Sequence, residues 1–127
     1  MDRTLDSLTK DFFAALDRKD FDRLLALSVD DAQIVDEISR RWLRGRQAID
    51  GYLRQLAEDV SNIQTSPRDV HTIEIESLGI VTCVIDQRYD FRGEAVEITA
   101  PTTLIARRGS DGWRWVLFHS VPIEAQG

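Results

Sequence analysis

The residues able to do chemistry are few, and the sharpest of them is Asp36, which closes the stretch Asp30-Asp31-Ala32-Gln33-Ile34-Val35-Asp36. Ile34 and Val35 read as a short strand and Asp36 as its end. If this carboxylate faces the inside of an apolar pocket, its pKa rises toward the range in which a general base works at neutral pH. If it faces water, it is an ordinary strand-end acid. No cation adjacent in sequence obviously quenches it. The remaining candidates come from alternation along two long strand-like runs, provided no bulge shifts their register. Cys83, Ile85, Gln87, Tyr89 and Phe91 share one face, and Trp113, Trp115, Leu117, His119 and Val121 share another. Tyr89 and His119 therefore stand on apolar-rich faces. Together with Asp36, Trp42, Tyr52, Gln87 and Thr103 they form the expected lining of a cavity. Asp36, His119 and Tyr89 are its candidate catalytic groups, and Trp42, Tyr52, Gln87, Thr103 and Leu117 its candidate ligand contacts.

Each of these residues also has a plainer reading. A buried His or Tyr often does no more than satisfy a hydrogen bond at the edge of a core, and Trp113 and Trp115 fit core or subunit-interface aromatics. Glu37, next to Asp36, reads as solvated. Arg40, Arg41, Arg44 and Arg46 could draw an anionic ligand to a pocket mouth or simply form a solvated loop paired with carboxylates. Ser120 points away from His119 on an alternating strand, so the two do not make a nucleophile and base. The sequence holds no Gly-rich phosphate loop, no G-x-S-x-G elbow and no H-E-x-x-H. Cys83 is alone and only His71 and His119 accompany it, which offers neither a disulfide nor a clustered zinc site. We expect no cofactor and no metal.

The elements that must position these groups follow from periodicity. Leu5, Leu8, Phe12, Ala15 and Leu16 recur at helical spacing behind Asp2 or Thr4 as N-cap, with Arg18-Lys19 at the negative end of the dipole. Asp20 caps a second, shorter helix whose apolar face is Phe21, Leu24, Leu25 and Leu27, and Asp30-Asp31 stop it. A loop follows, with a short strand near Trp42. Gly45 opens a third helix with Ile49, Tyr52 or Leu53, Leu56 and Val60 on one face; Gly51 inside it costs roughly 1 kcal/mol relative to Ala. The polar run Ser61 to Pro67 breaks it. From Arg68 the period becomes two: a strand with His71, Ile73 and Ile75, a turn at Leu78-Gly79, a strand Ile80 to Phe91, a turn at Arg92-Gly93-Glu94, a strand Ala95 to Arg107, a hairpin at Gly109-Ser110-Asp111-Gly112, and a last strand Trp113 to Val121. Pro101 marks a bulge or an edge, because proline cannot donate to the ladder. The fold class expected is α+β, with three N-terminal helices covering one face of a strongly bent antiparallel sheet.

Size and charge bound the rest. A chain of 127 residues, 43% hydrophobic and 30% charged, fits one domain over residues 1–127. Its net charge of −6 and pI near 4.8 argue against a nucleic-acid or anionic-membrane partner. The start, Met1-Asp2-Arg3-Thr4-Leu5-Asp6, lacks the basic-then-apolar order of a signal peptide, and the run Leu78 to Ile85 is far too short to span a membrane. A reducing cytoplasm is the expected location.

Several short motifs, weak singly, occur in a telling order: Phe12-Phe13-Ala14-Ala15-Leu16, Lys19-Asp20-Phe21-Asp22, Ala26-Leu27, Asp30-Asp31-Ala32, Asp36, Gly45, Ala48-Ile49, and Gly112-Trp113-Arg114-Trp115-Val116 through His119-Ser120. Together they resemble the nuclear transport factor 2-like superfamily over nearly the whole chain, most closely its SnoaL-like and ketosteroid-isomerase-like branches. The closing W-x-W-V-x-F-H-S is also similar to the association domain of calcium/calmodulin-dependent kinase. The resemblance implies a cystatin-like cone, in which the sheet wraps helix one around an internal pocket. It places Asp36 at the general-base position of ketosteroid isomerase, the handling of whose carboxylates is a well-worked case. That enzyme's oxyanion-hole tyrosine corresponds to Phe12, here a candidate ligand contact, and its protonated aspartate to about Thr103. With one donor lost and one weakened, steroid-type isomerisation loses on the order of several kcal/mol of electrostatic assistance, so that activity is not expected. His119 and Tyr89 would supply a different acid or donor. The expected function is that of a SnoaL-like protein binding a small apolar or aromatic ligand. The alternatives are a cofactor-free isomerase, cyclase or dehydratase with Asp36 as base, and a dimerising interaction module. In every case a homodimer is expected through the outer sheet face, which carries Val84, Asp86, Arg88, Arg114, Val116 and Phe118.

Overall fold

The structure, a computed structural model, describes residues 4–123; the alternative cap Asp2 lies outside them. Helix α1 spans Leu5–Asp17 and starts where the Thr4 side chain accepts the Ser7 N–H at 3.0 Å. Asp20 does the same for α2, Phe21–Ala26, accepting from the Arg23 N–H at 3.2 Å. Six strands follow or interleave with a third helix: β1 Ser28–Asp36, β2 Leu43–Arg44, α3 Arg46–Asp59, β3 Val60–Ile75, β4 Leu78–Phe91, β5 Glu94–Gly109 and β6 Gly112–Ser120. Their order in one curved sheet is β2-β1-β6-β5-β4-β3. All neighbours are antiparallel except β1 and β6, which run parallel because the whole intervening chain forms the crossover between them. The three helices and the curved sheet make the expected α+β architecture.

Several boundaries differ from the sequence reading, each for a visible reason. Asp30 and Asp31 do not stop α2 but lie inside β1, on its exposed part. The segment Ser61 to Pro67 is the first half of β3 rather than a loop. Proline is tolerated there because β3 is an edge strand, and the strand bends through two irregularities, one at left-handed Asn62 (φ 54°) and one at left-handed Asp69 (φ 54°). The turn falls at Glu76-Ser77, one step before Leu78-Gly79. Gly79 instead sits within β4, where a Cβ would lie 2.7 Å from Leu5 Cδ2 and 3.0 Å from Trp113 Cζ3, so α1 and β6 occupy the space a side chain needs. At the next hairpin Arg92 (φ 50°) and Gly93 (φ 86°) are both left-handed, the backbone of a type I′ turn. Pro101 resolves to an edge: β5 pairs with β6 only from Thr102 onward, so its earlier part has β4 as its one partner strand.

The most consequential departure is a bulge in β6. Ile105 pairs with Leu117 and Ala106 with Trp115, which leaves Val116 as an extra residue. A one-residue insertion flips every side chain beyond it. Trp113 and Trp115 therefore point into the core, whereas past the bulge Phe118 and Ser120 point inward and Leu117 and His119 outward. Packing records the flip directly, because the Phe12 ring meets both Trp115 (centroids 5.9 Å apart) and Phe118 (5.0 Å). Leu8, Val81, Ile85 and Leu104 are the largest fully buried side chains and form the centre of the core between α1 and the sheet. Among the described residues no helix is long and apolar enough to cross a membrane.

Candidate functional site

Where the sheet curls away from α1 it leaves an internal slot of about 100 Å3 between the sheet, α1, α2 and α3. Its walls are mostly aliphatic and aromatic side chains from every layer, including Phe12 and Leu16 of α1, Leu53 and Leu56 of α3, and Ile85, Ile98 and Phe118 of the sheet. Phe12, Asp36, Tyr52, Gln87 and Tyr89 stand in this wall as the alternation and helical spacing anticipate.

Four expected wall residues do not. His119 and Leu117 face outward because of the Val116 bulge, and Thr103, paired with His119 across β5 and β6, shares that outer face. The inward positions belong to their neighbours, Thr102 and Ser120, whose hydroxyls are 2.9 Å apart and buried. Trp42 is 40% exposed and lies against the His119 ring, with centroids 5.9 Å apart and planes tilted by 34°. The Arg44 guanidinium covers its face at 5.7 Å. His119 therefore cannot serve as an acid or donor in the cavity. Phe118, assigned to an outer interface by simple alternation, is in the wall instead.

Asp36 does line the cavity, but its oxygens are already engaged. The Ile38 and Ser39 backbone N–H groups donate to Oδ1 at 3.1 and 2.8 Å, which folds the chain after β1 into a turn. The Tyr52 hydroxyl, brought over by α3, donates to the same carboxylate at 2.9 Å from Oδ1 and 2.8 Å from Oδ2. That turn carries Glu37 inward. Its Oε1 accepts the Tyr89 hydroxyl at 2.7 Å, and the side chain joins the cavity wall. Burial pushes the Glu37 carboxyl above the ordinary carboxylate range; the Tyr89 hydrogen bond opposes that, Asp36 beside it adds to it, and Arg40 offsets it slightly. Burial, followed by the nearby carboxylates, drives the Tyr52 and Tyr89 hydroxyls far above the usual phenol range, so both stay protonated donors. Burial likewise raises the Cys83 thiol and keeps it unreactive.

Two carboxylate–phenol pairs, Asp36 with Tyr52 and Glu37 with Tyr89, therefore stand side by side in a mostly apolar wall. A carboxyl held above its ordinary range and facing a cavity is better suited to exchange a proton with a ligand than one at its ordinary value. Glu37 carries that property, and its place in the wall is not anticipated by the sequence, which reads it as solvated. The arginines after β1 serve the surface: Arg44 Nε donates to Gln33 Oε1 at 3.0 Å, Arg46 lies 3.6 Å from Asp30, and Arg40 Nε donates to the Glu37 carbonyl at 2.9 Å. Gln87 donates to Thr65 Oγ1 at 2.9 Å, which ties the cavity wall to the edge strand.

A curved sheet closed over α1, with a slot of this lining, defines the cone architecture of the nuclear transport factor 2-like proteins, and solved structures agree. A candidate dehydratase of that family from Streptomyces avermitilis superposes with a TM-score of 0.87 at 23% identity, over 95% of this chain and 94% of the other. A candidate calcium/calmodulin-dependent protein kinase type II association domain from Thiobacillus denitrificans gives 0.79 at 23% identity, over 98% of each chain. A ketosteroid isomerase-like protein from Erwinia carotovora atroseptica gives 0.81 at 13% identity, over 95% of each. Among curated proteins none matches the sequence. The family model of the SnoaL-like domain matches residues 5–124, and the chain belongs to that family.

Proposed function

We propose that this SnoaL-like protein binds a small apolar or aromatic molecule in the slot, gripping its polar end with the two carboxylate–phenol pairs. The observation that carries the reading is the distribution of polarity: long aliphatic and aromatic walls, with the acids and phenols gathered on residues 36, 37, 52 and 89. Apolar walls supply affinity and a few convergent polar groups supply orientation. Equilibrium binding of planar aromatic alcohols and ketones tests this, with Ile98→Trp as the control that fills the slot. Loss of binding in the filled variant is expected; binding that survives in it contradicts the proposal.

A second reading, a cofactor-free isomerase, cyclase or dehydratase, is favoured by Glu37. With three donors on Asp36, the carboxylate freer to exchange a proton with a ligand is that of Glu37, and Tyr89 is a neutral donor beside it. Under this reading an enolisable ketone held in the slot exchanges its acidic C–H with solvent deuterium, and Glu37→Gln abolishes the exchange. Absence of exchange across bound ketones removes the reading.

Pairing of two copies through the outer sheet face is also a proposal. On that face Val84 and Leu117 are half-buried and Arg88 pairs with Glu97, a mixture suited to a two-fold interface, although Phe118 no longer contributes. Light scattering that returns a monomer mass at micromolar concentration excludes it.

A further inference from the structure

The slot's charge says which apolar ligands it takes. Among the described residues in its wall there are two acids, Asp36 and Glu37, and no Lys, Arg or His. We infer that the slot selects an apolar molecule bearing a protonated amine, held by Glu37 and Asp36, and rejects one bearing a carboxylate or phosphate. This rests on the slot being a ligand site, as proposed above.

The argument is electrostatic. Adjacent carboxylates that have lost water repel each other and any incoming anion, and a low-dielectric wall strengthens both effects relative to bulk. An ammonium group offers up to three donors and offsets both charges at once. Tyr52 and Tyr89 already donate to the carboxylates but carry no charge, so they satisfy lone pairs while leaving the negative charge unbalanced. The cations nearest in sequence are committed elsewhere: Arg44 to Gln33 and Trp42, Arg46 to Asp30. Arg40 acts on Glu37, but as the weakest of the influences on it. A ligand anion therefore meets two fixed negative groups and no wall cation, which is discrimination by repulsion as much as by attraction.

The test uses three molecules of nearly equal shape, naphthylethylamine, naphthylethanol and naphthylacetate, titrated calorimetrically into the full-length protein at neutral pH. The amine is expected to bind at least about tenfold more tightly than the alcohol, equivalent to about 1.4 kcal/mol, and the carboxylate not to bind measurably. Lowering the pH through the Glu37 titration should weaken the amine, because protons compete for the same group, and leave the alcohol unchanged. Glu37→Gln, which still accepts the Tyr89 hydroxyl and leaves Asp36 charged, should cut the amine's advantage over the alcohol by at least about threefold. Should Glu37→Gln fail to fold, the pH series on the unaltered protein carries the same information. An alcohol that binds as tightly as the amine, or an amine advantage undiminished in Glu37→Gln and across pH, overturns the charge selection while leaving the slot as a ligand site. Failure of all three probes to bind overturns both.

Discussion

Replacing Tyr52 by phenylalanine removes one oxygen and leaves the ring that α3 packs against the slot. That oxygen is the group that ties α3 to the end of β1, donating at 2.9 and 2.8 Å to the Asp36 carboxylate. A hydrogen bond to a charged acceptor contributes about 1.5–3 kcal/mol, and the value here belongs at the low end for two reasons. Asp36 keeps the Ile38 and Ser39 N–H groups, and the site is only partly buried, so water can replace part of what is lost. The expected cost is about 1.5 kcal/mol, which for a domain of this size lowers the thermal midpoint by roughly 6 °C. Urea unfolding at neutral pH measures it, and Asp36→Asn alone and combined with Tyr52→Phe gives the coupling between the two side chains. A loss under about 0.5 kcal/mol, within the range of ordinary surface substitutions, would refute the reasoning that this pair fastens the polar end of the slot.

Glu37 makes stability depend on pH. Its folded carboxyl is raised from the ordinary 4.5, so the folded state holds a proton the unfolded chain has released; stability is greatest below the unfolded value and declines as pH rises through the folded one. Urea midpoints between about pH 4 and 8 should show this decline in the native protein and a flatter profile in Glu37→Gln; parallel profiles contradict it. His119→Ala should leave slot binding unchanged and lose only the Trp42 ring contact, about 0.5–1 kcal/mol by chemical unfolding, since that histidine faces outward. Gly79→Ala forces a methyl to within 2.7 Å of Leu5 and 3.0 Å of Trp113; Leu5 can swing aside and Trp113 cannot, so a loss of about 1–3 kcal/mol is expected in the same assay.

The helices and their caps were legible because their signals are local. Thr4, Asp20 and Gly45 sit where polar or glycine residues precede apolar residues at helical spacing, and all three start helices. The alternation of β4 held as well, and Ile85, Gln87 and Tyr89 reach the slot together. What failed was information held by partners distant in the chain. The bulge at Val116 exists only in the pairing of β6 with β5, and no residue type near it announces an insertion, so Leu117, His119 and Thr103 were read on the wrong face. Glu37 was read as solvated because nothing local suggests otherwise. Its burial depends on the turn that Asp36 builds and on Tyr89, whose hydroxyl comes from 52 residues away. Trp42 stacks on the outward-facing His119, a contact between residues far apart in the chain that nothing local announces.

Isoleucine methyl groups provide the most direct test of a ligand slot, because the chain places them in two distinct settings. Ile34, Ile38, Ile49, Ile63, Ile85 and Ile98 line the cavity, whereas Ile73 and Ile75 are exposed on the β3–β4 hairpin. Methyl-labelled NMR spectra recorded during titration with a planar aromatic alcohol should shift the first group and leave Ile73 and Ile75 in place. Shifts confined to Ile73 and Ile75, or no shifts at saturating concentrations of such probes, would contradict the account.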